Sequence, residues 1–164
     1  MSRIEDSRSR INASEERFKN SDYVGAIREA GACIELSVKA LLDMLQINYT
    51  TKQGRIPHDV SNKVPEAYEK LKPYLEEWEV KNARLTLARA MVLLRLLSSI
   101  RSYVEYPIKK LEVEAKDVFD YYFSKELAKT LTSLVRSTYR NINNWVGKMK
   151  RKKNTSNVRS VERL

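Results

Sequence analysis

The chain holds little of what breaks, bridges or catalyses. One cysteine, Cys33, stands among 164 residues, so no intrachain disulfide can form. Cys33 falls on the small-residue side of an apolar helical pattern, the setting of a buried inert thiol rather than a nucleophile. A single histidine, His58, beside that one cysteine cannot assemble a zinc site of the usual kind. Four glycines and four prolines leave few tight turns and no glycine-rich phosphate loop. Long apolar runs are also missing: Arg84, Arg89 and Arg95 interrupt the most hydrophobic region, so no membrane span is expected. The first ten residues are polar with no apolar stretch behind them, which gives no sign of a signal peptide and makes a cytoplasmic location the expectation. No paired carboxylates at a recognisable site spacing occur, and no serine or cysteine nucleophile has a partner histidine motif, so no cofactor and no general hydrolase chemistry is implied.

What is present is helical periodicity. From Asp22 to Ile47, apolar or small residues fall at Val24, Ile27, Gly31, Ile34, Val38, Leu41 and Leu45, with steps of three and four throughout. Leu36 and Leu42 widen this stripe, and Ala26, Ala30, Ala32, Cys33 and Ala40 let neighbours approach closely. Ser21 and Asp22 are candidate N-caps, since their side-chain oxygens can accept from first-turn amides. Residues 3–19 carry Ile4, Ile11 and Phe18 near helical spacing and predict a first helix, antiparallel to the second across the short turn at 19–22. A loop over 48–58 precedes a short helix with Val60, Val64, Ala67, Tyr68 and Leu71, ended near Pro73. Residues 75–105 predict a long helix, with Leu85, Ala88, Val92, Leu96, Ile100 and Tyr103 on one face and Leu87, Met91, Leu94 and Leu97 broadening it. Lys109 to Phe123 fits no single pattern; its aromatic residues Phe119, Tyr121, Tyr122 and Phe123 are expected to plug the bundle end. From the N-cap candidate Ser124 a last helix follows Leu127, Leu131, Leu134, Thr138, Ile142, Trp145 and Met149. The prediction is an all-α, up-and-down bundle of four long helices and one short one over residues 1–147, followed by a basic, disordered tail over 148–164.

Charge is uneven. From Arg136 onward nine basic residues face one acid, Glu162, a surplus of eight that leaves only two of the net +10 for residues 1–135. Lys148, Lys150, Arg151, Lys152 and Lys153 concentrate that surplus, with Arg140 upstream. Such a cluster attracts phosphates through counterion release. It also suits a helix C-terminus, where cations complement the dipole. Trp145 lies on the apolar stripe and reads as core rather than as a base-stacking residue.

The order of these pieces resembles the HEPN domain. The run Asp22–Ala30 (DYVGAIREA) followed by Glu35–Leu42 (ELSVKALL) is similar to its first helical hairpin. The loop into His58-Asp59, the arginine-bearing helix ending in Arg101–Pro107 (RSYVEYP) and the stretch Phe123–Ala128 (FSKELA) continue the likeness over residues 8–147. The resemblance implies a five-helix bundle that dimerises. In active HEPN ribonucleases an arginine is followed four to six residues later by a histidine, and two such motifs facing each other cleave RNA without metal. The chemistry is coherent, because histidine shuttles protons near neutral pH while arginine stabilises charge developing on the phosphate. Many such domains pair with a minimal nucleotidyltransferase as toxin and antitoxin, or bind RNA or nucleotides.

Here Arg101 matches the motif arginine, but Tyr106 and Pro107 occupy the histidine region. A tyrosine with an ordinary pKa of about 10 is a poor base at neutral pH. Arg55 and His58 have only two residues between them and do not match, so His58 reads as a hydrogen-bonded turn residue. Arg101 could also simply pair with Glu105 one turn on. The expectation is a dimeric, HEPN-like module that binds RNA or a nucleotide, or partners a nucleotidyltransferase, without cleaving RNA. Arg101, Arg140, Lys148, Lys150, Arg151, Lys152 and Lys153 are its candidate contacts. Two alternatives are a metal-independent ribonuclease toxin of a toxin–antitoxin or defence system, using Arg101 with Tyr106 or Glu105, and a purely structural helical interaction protein.

Overall fold

A computed structural model of the chain describes residues 2–105 and 125–161, with side chains described over 2–100 and 125–154. The described residues form five α-helices and two short 3-10 turns, with no strand among them. The helices are α1 (Arg3–Lys19), α2 (Tyr23–Met44), α3 (Val64–Leu71), α4 (Glu77–Glu105) and α5 (Lys125–Val161). Four are long and one is short, an all-α architecture. The aromatic cluster at 119–123, Ser124 and Tyr106 lie outside the described residues.

The hub is α2, which packs against α1, α4 and α5. Ile27, Ile34, Val38, Leu41 and Leu42 are fully enclosed, as the three-and-four spacing requires of a helix with neighbours on several sides. The approach of α4 is close at Gly31, where a β-carbon would lie 3.3 Å from Leu97 Cβ. The seam between α1 and α2 alternates Ile4, Ser7, Ile11 and Ser14, all buried. Small serines let the helices close, and their hydroxyls remain satisfied: Ser7 Oγ donates to the Cys33 carbonyl at 3.0 Å and Ser14 Oγ to the Ala26 carbonyl at 2.7 Å. Burial pushes the Cys33 thiol up to about 11, against the opposing pull of Ser7 and Ser37, so the sulfur stays protonated and inert.

Backbone geometry sets the α1–α2 reversal. Ser21 takes φ 61°, and the Asp22 amide reaches back to the Arg17 carbonyl at 2.9 Å, closing the end of α1. Asp22 then caps α2, its Oδ1 accepting from the Gly25 amide at 2.8 Å while Oδ2 pairs with Arg17 Nη1 at 2.7 Å. Partial burial opposes ionisation of Asp22, but the Gly25 amide and the Arg17 guanidinium prevail and hold its carboxyl below the usual range.

Two expectations are revised. On α4 the inward face is Ala83, Leu87, Ala90, Leu94 and Leu97, whereas Leu85, Ala88, Val92 and Leu96 are exposed. Apolar residues cover two faces of this helix, and its neighbours α2, α3 and α5 leave Leu85, Val92 and Leu96 exposed. The second revision concerns the basic segment, which continues α5 as helix: Lys150, Arg151, Lys152 and Lys153 lie on its C-terminal half, and the helical backbone runs to Val161. Contacts with the bundle through Lys148, Lys152 and Lys153 hold that half where propensity alone gives no apolar stripe.

Asp22→Ala should remove the α2 cap and the Arg17 pair together. The expected loss is about 1 kcal/mol, from substitutions at comparable N-caps, read as a lower urea midpoint with an unchanged m-value.

Candidate nucleic-acid interface

The side chains singled out by the sequence separate into three groups in space. Arg101 sits near the C-terminal end of α4, with its side chain outside those described, and Tyr106 is beyond the described residues altogether. His58 is exposed on the loop before α3, its Nδ1 3.2 Å from both carboxylate oxygens of Glu35. Lys39 Nζ shares that carboxylate at 2.7 Å. The geometry therefore ties the loop to α2 through His58, as a hydrogen-bonded turn residue would.

The third group is the basic end of α5. Arg140, Lys150, Arg151, Lys152 and Lys153 are exposed, and Lys148 is half-buried. Arg140, Asn144, Lys148 and Arg151 follow one another at steps of four, four and three, which aligns them along one face of the helix. Lys152 Nζ lies 5.8 Å from the centre of the Tyr74 ring. Lys153 Nζ donates to the Met44 carbonyl at 3.3 Å, at the C-terminal end of α2, where a cation is favoured. Lys148 makes a charged hydrogen bond with Glu79 on the first turn of α4. The cations are thus spaced by a helix whose lysines reach the ends of α2 and α4.

Glu79 anchors this arrangement. Its Oε2 accepts from the Glu76 amide at 2.9 Å while the Glu79 amide donates to the Glu76 carbonyl at the same distance, which closes the first turn of α4. Its Oε1 takes the Lys148 ammonium. The Lys148 hydrogen bond foremost, then the Glu76 amide, hold the Glu79 carboxyl below the usual range. Further along, Asn141 Nδ2 donates to Thr86 Oγ1 at 2.9 Å and Arg89 Nε to Thr138 Oγ1 at 2.8 Å, pinning α4 to α5.

Between these helices lies a groove of about 460 Å³ lined by Trp78, Glu79, Asn82, Asn141, Asn143, Asn144, Trp145, Gly147, Lys148 and Arg151. Trp145 is core, 4% exposed, as its place on the stripe predicts, whereas Trp78 is 76% exposed. Sequence reasoning missed Trp78 and the amides. A signal existed: three asparagines within 141–144 are unusual in a helix, because asparagine disfavours the helical interior. Among the described residues no group of three histidine, cysteine or acidic side chains could hold a metal, and no helix is long and apolar enough to cross a membrane.

Because the folded state lowers the Glu79 pKa, its contribution is fully present above the unfolded value near 4.5 and is lost as pH falls through the folded value. Glu79→Gln should therefore destabilise the protein at pH 7, and the difference from the parent should shrink toward pH 3 in denaturant melts. Comparison with protein-family models, with curated proteins and with solved structures finds no match to this chain.

Proposed function

We propose that the chain is a HEPN-like, dimeric helical module that binds RNA without cleaving it. The observation that carries this reading is the basic end of α5, which offers Arg140, Lys148, Lys150, Arg151, Lys152 and Lys153 on one continuous helix rather than on a loose tail. Fixed cations along a helix contact successive phosphates at little further ordering cost. His58, the single histidine of the chain, is held by Glu35 in a loop and follows no motif arginine. Arg101 lies near the C-terminal end of α4, the end remote from Glu79 and Lys148. A dimer is supported by the exposed apolar residues of α4, since Leu85 is 63% and Val92 62% exposed. Apolar side chains two turns apart on one helix face suit pairing with another apolar surface.

RNA affinity should fall steeply with salt. Lys150→Ala, Lys152→Ala and Lys153→Ala together should flatten the slope of log K against log salt by about 2, at roughly 0.7 per phosphate contact on a single strand. A slope identical to the parent's, or no cleavage-independent RNA retention in excess chelator, would sink the reading. Leu85→Glu with Val92→Glu should convert the dimer to monomer in sedimentation; a parent that sediments as monomer removes the dimer from it.

A further inference from the structure

We propose that the groove between the first turns of α4 and the middle of α5 is a base-binding site for single-stranded RNA, in which a nucleobase stacks on Trp78 and its flanking phosphates meet Lys148 and Arg151. This rests on the RNA-binding reading above and assigns it a specific site.

The indole is the first argument. A tryptophan usually buries most of its surface, yet Trp78 is 76% exposed while the neighbouring Trp145 is 4% exposed. An exposed indole at the rim of a groove offers a π-face to any base, and stacking of this kind tolerates all four bases. The second argument is the amide lining, from Asn82 one turn beyond Trp78 on α4 and from Asn143 and Asn144 on the facing α5. Asn82, Asn143 and Asn144 are exposed and line the same groove. Amides carry a donor and an acceptor side by side, the pattern that reads base edges. The third is charge: Lys148 and Arg151 stand on the α5 face of the groove. Glu79 offsets one of these cations through its bond to Lys148. The groove therefore carries a net charge of +1, and its main contribution lies in contacts to the base, while the rest of α5 supplies bulk attraction.

Pre-organisation is the fourth argument. Trp78 sits on a helical turn closed by the reciprocal Glu76–Glu79 hydrogen bonds and clamped to α5 by Lys148, so the backbone that carries the indole is held before a ligand arrives. Gly147 also lines the groove, where a β-carbon would make only ordinary contact, 3.7 Å, with Arg151 Nη1. At about 460 Å³ the volume falls within the range of small-molecule sites and admits a single nucleoside.

The test compares two fluorescent probes of equal length at one salt concentration, a mixed-base single-stranded RNA and an abasic phosphodiester backbone, against the parent, Trp78→Ala and Trp78→Phe. Unfolding midpoints and sedimentation of each variant are recorded alongside. The expected result is that the parent prefers the base-bearing strand and that Trp78→Ala weakens that strand by at least about fivefold, the lower end for loss of one stacked base. Abasic binding stays unchanged, and Trp78→Phe retains most of the preference. Equal affinity of parent and Trp78→Ala for the base-bearing strand overturns the site while leaving RNA binding in place. Equal weakening of both probes, or a change of oligomeric state in Trp78→Ala, also overturns it, because the indole would then be supporting structure or an interface. Failure of the parent to bind either probe removes the RNA reading itself, and this site with it.

Discussion

The enclosure of α2 is the constraint on which the other elements depend. A helix that hides Ile27, Ile34, Val38, Leu41 and Leu42 completely must have neighbours on several sides, and α1, α4 and α5 supply them. Each buried aliphatic of this size contributes about 1.5–3 kcal/mol relative to exposure. That term explains why a chain with so few turn residues still closes into one bundle. It also explains the small residues: Gly31 against Leu97, and Ser7 and Ser14 along α1, are the positions where axes come near enough for large side chains elsewhere to interlock. Polar groups taken into this seam are bonded to carbonyls of α2, so they hold register without leaving an orphaned donor.

A second layer of order is electrostatic, and it is concentrated at one end. Glu79 closes the start of α4 and grips Lys148, while Lys153 reaches the last carbonyls of α2 and Lys152 lies against Tyr74. Individually, exposed pairs of this kind add little. Together they determine where a strongly basic helix rests. Elsewhere the same economy recurs: Arg10 and Arg17 flank the nearly buried Glu29, and Arg136 pairs with Glu15 to tie α5 to α1. The charged fraction of the sequence is therefore partly consumed in joining helices, and the surplus that is left gathers on α5.

Helix positions were legible because apolar spacing is a local property. The run from Val24 to Leu45 and the run from Leu127 to Met149 each state their period several times over, and helices follow both, the first ending at Met44 with Leu45 as its C-cap rather than running to Ile47. Legibility fails where a sequence carries two apolar faces, since periodicity on α4 does not say whether Leu87 or Leu85 meets the core; the positions of α2, α3 and α5 decide that. It fails again at the basic segment, whose helical course depends on Glu79, Tyr74 and the Met44 carbonyl, residues remote in sequence. Trp78 and the asparagines belong to different helices and converge only in the fold. The turn role of His58 was legible, and its partner Glu35, 23 residues away, was not.

The winding of the basic segment has a consequence for the solution around it. Lys148, Lys150, Arg151, Lys152 and Lys153 are five charges within six residues, which a helix compresses into about 9 Å at 1.5 Å per residue. That is roughly one charge per 1.8 Å along the axis, close to the figure of about 1.7 Å for a nucleic-acid duplex, with the sign reversed. Extended, the same residues would spread over about twice the length. As a helix the segment is a short polyelectrolyte in its own right, gathering a sheath of small anions that any incoming chain of phosphates displaces.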